Sequence, residues 1–475
     1  MPTPFEPGTM MPERYDLIVK GGTVATPSGI APADVAVTAG RIAAIGALDG
    51  AAAAEVFDAG GLHVLPGAID TQVHFREPGH EYKEDLATGT AAAALGGIAA
   101  VFEMPNTSPS TLSAEALEDK LARAKGRAWV DHAFFMGAAA ENAAELARLE
   151  LLPGCCGVKI FMGSSTGSLL VEDDETLLEV LKSGRRRVAV HAEDEDRLRE
   201  RLEIARQGAA VAFHPEWRDE ETARLATERL MALARRAGRR VHVLHVTTAE
   251  EIPLLAANKD LATVEVTPQH LTLAAPECYD RLGTRAQMNP PIRAARHREA
   301  LWRAVAQGVV DVIGSDHAPH SLEEKAKPYP TSPSGMPGVQ TLLPLLMDHV
   351  NAGRLTLERL VDLTSAGPAR IYGIAGKGRI AVGYDADLSI VDLQAKREIT
   401  ADWLASKCGW SPFEGRRVTG WPVATVIRGR VVMREAELLG DPAGAPVRFW
   451  ETLAPERADL PSPAEAGFAK AGLRP

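Results

Sequence analysis

Eight short apolar segments, separated by stretches of helical character, constrain what this chain can fold into more than any other feature. They lie at 68–75, 98–103, 130–136, 158–162, 187–191, 241–245, 263–266 and 309–313. Most are continuous apolar runs, the pattern of parallel strands covered on both faces. Between the fifth and sixth, Ala226, Leu230, Leu233, Ala234 and Ala237 mark one face at helical spacing, and Gly238 predicts the stop. Repeated strand and helix predict an α/β fold, a (β/α)8 TIM-type barrel. An open doubly wound sheet would place a glycine fingerprint after its first strand. None stands there.

At both ends of the chain the pattern differs. Residues 14–66 and 376–435 hold short β-rich pieces broken by turn residues, with Gly21-Gly22 predicting a turn. Neither set can close a core alone, so we expect one small β-sandwich domain built from both ends, around a barrel at 67–375. Residues 1–13 and 436–475 are set apart as tails, and 1–13 and about the last thirty residues, rich in Pro, Ala and charge, are expected to pack loosely. Length fits this division: 475 residues suit a large barrel plus a small satellite. A net charge of −11 argues against nucleic-acid or anionic-membrane binding. Residues 86–102 are uncharged but consist mostly of Ala, Gly and Thr, so they predict a helix turning into a strand, not a membrane span. Cys155, Cys156, Cys278 and Cys408 lack CxxC spacing, and residues 1–13 lack an apolar signal core. Reduced thiols in a cytoplasmic protein are expected.

In a parallel barrel, chemistry belongs where strands end and loops begin. Polar residues unusual for strands cluster there: Gln72-Val73-His74 after the first, Lys159 in the fourth, His191 ending the fifth, His245 ending the sixth and Asp316 after the eighth. A lone His at a strand end is more often a satisfied hydrogen-bonding residue than a ligand. Three His, one Asp and one Lys at five strand ends are harder to explain that way, and they suit zinc or a similar divalent ion. Lys159 sits in Gly157-Val158-Lys159-Ile160-Phe161, where a charged amine is costly unless paired or neutral. Two readings stay open. One is a buried ion pair; the other is a neutral amine that has taken up carbon dioxide as a carbamate.

The strings His74-Phe75-Arg76-Glu77-Pro78-Gly79, Met104-Pro105-Asn106-Thr107, Gly157-Val158-Lys159, Met288-Asn289-Pro290-Pro291 and Ser315-Asp316-His317-Ala318-Pro319-His320 resemble the dihydroorotase branch (class I type) of the amidohydrolase superfamily. The resemblance runs from about residue 15 to 434. It implies one or two zinc ions per chain, bridged by carboxylated Lys159, with His74 and Asp316 on one metal and His191 and His245 on the other. It implies that Asp316 takes a proton from the attacking water and passes it to the departing ring nitrogen. Arg76 and Asn106 would hold the carboxylate of dihydroorotate, with Asn289 and His320 completing the pocket. The segment 320–338 after the eighth strand is expected to form a loop over the site whose backbone near Ser334 and Gly335 helps enclose substrate, the alternative being an uninvolved surface loop. The plain alternatives are an ion pair of Arg76 with Glu77 or Glu103, Asn106 as a turn residue after Pro105, and His320 as a residue that merely caps or orients a loop. Allantoinases and hydantoinases share the metal scaffold but typically lack the Arg at position 76 and the Met-Pro-Asn-Thr string.

One departure matters. The family's first strand ends in His-x-His, whereas this one ends Gln72-Val73-His74. Gln72 is a weaker candidate ligand than imidazole. Some dihydroorotase-like chains are non-catalytic partners of aspartate carbamoyltransferase, but such chains usually lose several metal residues. The expected order is therefore a zinc-dependent dihydroorotase of pyrimidine biosynthesis first, a structural partner second, and another cyclic-amide hydrolase third. A homo-oligomer is expected, and aspartate carbamoyltransferase is the candidate protein partner.

Overall fold

The computed structural model describes residues 14–165, 169–208 and 210–453. The expectations for residues 1–13, and for the part of the C-terminal tail at 454–475, lie outside the described residues.

Eight strands form one parallel sheet: β1 Ala68–Val73, β2 Ile98–Glu103, β3 Asp131–Gly137, β4 Cys155–Phe161, β5 Val188–His191, β6 Val241–Val243, β7 Ala262–Val266 and β8 Val312–Ile313. The sheet closes on itself beside β1. Val73 bridges His317 in parallel, the His74 N–H donates to the His317 carbonyl at 2.7 Å, and the His317 N–H to that of Gln72 at 3.3 Å. This is the expected (β/α)8 barrel. Every residue of β2, β3 and β4 is buried, Lys159 included, because helices cover the outside while side chains fill the inside. The helix Glu220–Ala237 buries Ala226, Leu230, Leu233 and Ala234 against the barrel. Asp219 caps its N-terminus through the Thr222 N–H, and Gly238 ends it at φ 67°. Residues 86–102 form helix Leu86–Leu95 and then most of β2, joined at Gly96-Gly97. Among the described residues, no helix is long and apolar enough to cross a membrane.

Both chain ends contribute to a second sheet of nine strands. Its seam is His63–Pro66 paired antiparallel with Leu388–Glu398. The expected turn at Gly21-Gly22 is instead a bulge inside a twelve-residue strand, Tyr15–Thr26. The glycines are needed there for close approach: a Cβ on Gly22 would lie 2.7 Å from Val64 Cγ2.

The tail beyond 435 departs from loose packing where it is described. The Gly444 N–H donates to Ala128 O, the Ala445 N–H to Asp131 Oδ1 and the Val447 N–H to His132 O, at 2.8–2.9 Å. Val447 and Phe449 join Phe102, Phe135 and Tyr372 in one buried cluster. Asp131 begins β3, so this segment packs at the end of the barrel away from the strand C-termini. Two apolar anchors suffice, and overall composition conceals them.

Candidate active site

Eleven of the twelve residues singled out from the sequence line one cavity at the C-terminal ends of the strands: Gln72, His74, Arg76, Asn106, Lys159, His191, His245, Asn289, Asp316, Ser334 and Gly335. The twelfth, His320, stands directly behind Arg76, with its Nε2 3.4 Å from Arg76 Nη2. Phe161, Ser165 and Ala318 also line the cavity and were not singled out as site residues from the sequence. Arg76, His245 and Asp316 adopt positive φ (64°, 35° and 45°), a conformation non-glycine residues hold only when their surroundings impose it. Each lies just beyond a strand end, where the backbone must turn its side chain over the barrel mouth.

The His and Asp donors come in two pairs. His74 Nε2 lies 3.2 Å from Asp316 Oδ1, and His191 Nδ1 lies 3.0 Å from His245 Nε2. Outer partners orient both. Asn106 Oδ1 is 2.8 Å from His74 Nδ1, so that nitrogen donates and leaves the Nε2 lone pair facing Asp316. Glu193 Oε2 is 2.9 Å from His191 Nε2, and Arg218 holds the same carboxylate at 2.5 Å. Burial alone would raise the Glu193 pKa, but Arg218 and His191 reverse this and hold the carboxyl well below its usual range. His191 Nε2 therefore carries the proton, and its Nδ1 lone pair faces His245. Burial lowers the pKa of His74, His191 and His245, which favours the neutral imidazoles that metal binding requires. For Asp316, burial is outweighed by His74, His245 and Lys159, so its carboxyl stays ionised well below the usual range.

Lys159 has no ion-pair partner among the described residues, so the buried-pair reading finds no support. It is 1% exposed, with Nζ over the Phe161 ring at 4.3 Å, and burial pulls its pKa down to about 7. Its charge acts on His74, His191, His245 and Asp316 alike, which places it among both pairs.

These residues fit a metal centre in a specific way. Among the described residues, no three His, Cys, Asp or Glu side chains form a ready-made site. Each pair has two donors separated by about one edge of a zinc coordination tetrahedron, roughly 3.3 Å for bonds near 2 Å. Each pair therefore lacks a third protein donor, and a carbamate on Lys159 would supply one oxygen to each. Gln72 Oε1 is buried with no hydrogen-bond partner among the described residues, while its Nε2 donates to Asp316 Oδ1 at 3.0 Å. An orphaned amide oxygen beside the first pair is what a weak extra ligand would present.

On the opposite wall, the expected alternatives for Arg76 are not realised. Glu77 pairs with Arg127 at 2.7 Å, and Glu103 pairs with Lys120. Arg76 Nε donates to Pro319 O at 3.2 Å. His320 Nε2 lies 3.0 Å from Ser334 O and must donate to it, while His320 Nδ1, 3.1 Å from Lys83 Nζ, must accept. His320 thus has no lone pair for Arg76, and their 3.4 Å contact is not a hydrogen bond. Glu324, at 2.8 Å, is the carboxylate partner of Lys83. Asn289 Oδ1 accepts from His214 Nε2 at 3.0 Å, which fixes its amide. Sequence reading missed Glu193, Arg218 and Lys83. Only the His191-Ala192-Glu193 spacing could have pointed to the first of them.

Comparison with known proteins agrees with this geometry. The Amidohydrolase family model matches residues 63–432. A dihydroorotase of Halobacterium salinarum is 40% identical over 406 residues, covering 84% of this chain and 93% of the relative. An allantoinase of Rubrobacter xylanophilus is 39% identical over 454 residues, covering 91% and 98%. The solved L-hydantoinase (dihydropyrimidinase) of Arthrobacter aurescens superposes with a TM-score of 0.86 at 32% identity, over 91% of this chain and 99% of that one. Barrel, paired donors and sequence converge: this chain belongs to the amidohydrolase family.

Proposed function

We propose that the chain is a metal-dependent cyclic amidohydrolase acting on dihydroorotate, interconverting it with N-carbamoyl-L-aspartate. The observation that carries the choice of ring is Arg76. Its guanidinium reaches the cavity with no carboxylate paired to it among the described residues, and burial lowers its pKa only to about 10, so it stays charged. Asp316, Glu103, Glu324 and Glu84 act on this cation without touching it, so its hydrogen-bonding edge is left for an anionic ligand, and the carboxylate of dihydroorotate is such a group. The dihydroorotase relatives support this reading; the allantoinase relative supports an uncharged ring as the alternative.

A divalent pair held by His74 with Asp316 and His191 with His245, and bridged by carboxylated Lys159, would supply Lewis acidity and lower the proton affinity of water. Ionised Asp316 accepts a proton from the attacking water. As the ring C–N bond breaks, it returns that proton to the departing nitrogen, which becomes the carbamoyl NH2. Arg76 fixes the ring by its carboxylate, and Asn106 and Glu193 keep the imidazoles in the tautomers described above.

Replacing Arg76 by Met tests the reading. The second-order rate constant kcat/KM on dihydroorotate should fall about 100-fold, since losing one partner of a buried charge pair costs about 2–5 kcal/mol. Turnover of dihydrouracil, the same ring without the carboxylate, should change less than about threefold. An equal loss on both rings would remove Arg76 from its role.

Gln72 sets a second expectation. With an amide in place of imidazole, the His74–Asp316 site should hold metal more weakly than the His191–His245 site. Purified protein should then contain between one and two ions per chain, and Gln72→His should raise that content or slow its loss to a chelator. Two equally chelator-resistant ions in the natural chain would show that Gln72 suffices.

A further inference from the structure

The cavity wall at Ser334 and Gly335 is held from behind by a residue that takes no part in the chemistry above. Lys325 closes the short helix Leu322–Lys325 and is 1% exposed. Its Nζ has no carboxylate within ion-pair distance among the described residues. It donates instead to three backbone carbonyls: Gln287 O at 3.0 Å, Pro333 O at 2.8 Å and Gly335 O at 3.0 Å. Burial pulls the Lys325 pKa down to about 7, but three carbonyl acceptors call for three N–H donors, which only the ammonium supplies. Surrounding groups complete the pattern. Gln287 Nε2 donates to Ser332 O at 2.9 Å, and His320 Nε2 donates to Ser334 O at 3.0 Å. Four successive carbonyls, 332 to 335, are therefore each held by a side-chain donor, two of them by Lys325. The Gly335 N–H is also engaged, donating to Gln287 O at 2.9 Å. The fit is close: Gly335 has φ +135°, and a Cβ there would lie 2.5 Å from Ala318 O. Neither regular secondary structure nor a counterion explains a buried ammonium at this point. The constraint it imposes on the wall does.

We infer that Lys325 is a positioning residue for the cyclic amide substrate, its buried ammonium fixing the Ser334–Gly335 backbone as a rigid wall of the cavity. The inference rests on the proposed function only in that a ring substrate lies against this wall. Because Lys325 touches neither the paired donors nor Asp316, its loss should weaken substrate binding without slowing the chemical step.

The test compares Lys325→Met, which removes every donor, with Lys325→Gln, whose amide keeps two. Each is assayed on whichever ring the natural chain turns over: dihydroorotate, dihydrouracil, hydantoin or allantoin. The Met variant should raise KM at least about tenfold while kcat stays within about threefold, with the Gln variant between it and the natural chain. Amide hydrogen exchange at Gly335 should quicken at least about tenfold in the Met variant, with β2 to β4 unchanged. Unchanged KM, or a fall in kcat at constant KM, would overturn the inference. If the natural chain prefers an uncharged ring, the proposed function fails, yet the division between KM and kcat still decides the role of Lys325. Should no ring be turned over, the Gly335 exchange rate decides it, and unchanged exchange refutes it. Should the Met variant fail to fold, the Gln variant decides by the same two readouts.

Discussion

Lys159→Met is expected to abolish turnover, by at least about 1,000-fold, while the barrel stays folded. The magnitude follows from losing several kcal/mol of metal-derived stabilisation, at about 1.4 kcal/mol per tenfold in rate. The retention of fold follows from burial. Lys159 lies in a strand whose seven residues are all buried, and its amine has no ion-pair partner among the described residues. Met has similar length and no charge to desolvate, so the melting temperature should hold or rise. Chelator-resistant metal should fall in parallel if both donor pairs share Lys159 as the third ligand proposed above. Metal analysis and thermal unfolding of the same preparation check both halves. A variant that keeps metal and more than about a tenth of the natural rate would show that Lys159 is not the bridge, because losing a bridge costs several kcal/mol.

Asp316→Asn should cost at least about 100-fold in kcat, the lower end of what a positioned acid–base group contributes. The substitution is conservative in shape and backbone. Asp316 has φ 45°, and Asn is among the few residues that tolerate that region, so strain should not confuse the result. Asn also keeps an oxygen to accept the Gln72 amide, now 3.0 Å from Asp316 Oδ1. It loses the ability to take and return a proton, and its amide is a weaker metal donor than the carboxylate, so kcat is compared at matched metal content. KM should change little, since Asp316 is not assigned to the substrate carboxylate. Near-normal kcat in a folded, metal-containing variant would overturn the assignment of Asp316 as proton carrier.

Much of the site was legible because barrel geometry converts strand ends into neighbours. Residues as distant in sequence as His74 and Asp316 line one cavity once eight apolar segments are read as parallel strands, whereas Arg76, Asn106 and Asn289 were reached through the resemblance of their motif strings. The bulge at Gly21-Gly22 was not legible, since close approach to Val64 and a turn leave the same two glycines in the sequence. The docked tail at 444–449 was hidden because Val447 and Phe449 are two apolar residues in a polar context. Supporting residues escaped for a different reason. Lys83 and His320 are 237 positions apart, and Arg218 and Glu193 are 25 apart, so neither pair leaves a local spacing. Asn106 was expected at the substrate carboxylate; it also orients His74, a contact that follows from the meeting of two strand-end loops. In each case the missing information was long-range pairing, which periodicity does not carry.

The central claim, that the cavity reads an anionic cyclic amide through Arg76, is tested most directly on the natural chain. The measurement is kcat/KM for dihydroorotate, dihydrouracil, hydantoin and allantoin under one set of conditions with added zinc. The account predicts that dihydroorotate exceeds dihydrouracil by about 100-fold or more, as expected for a buried charge-assisted contact present with one ring and absent with the other. Equal or faster turnover of an uncharged ring would contradict it.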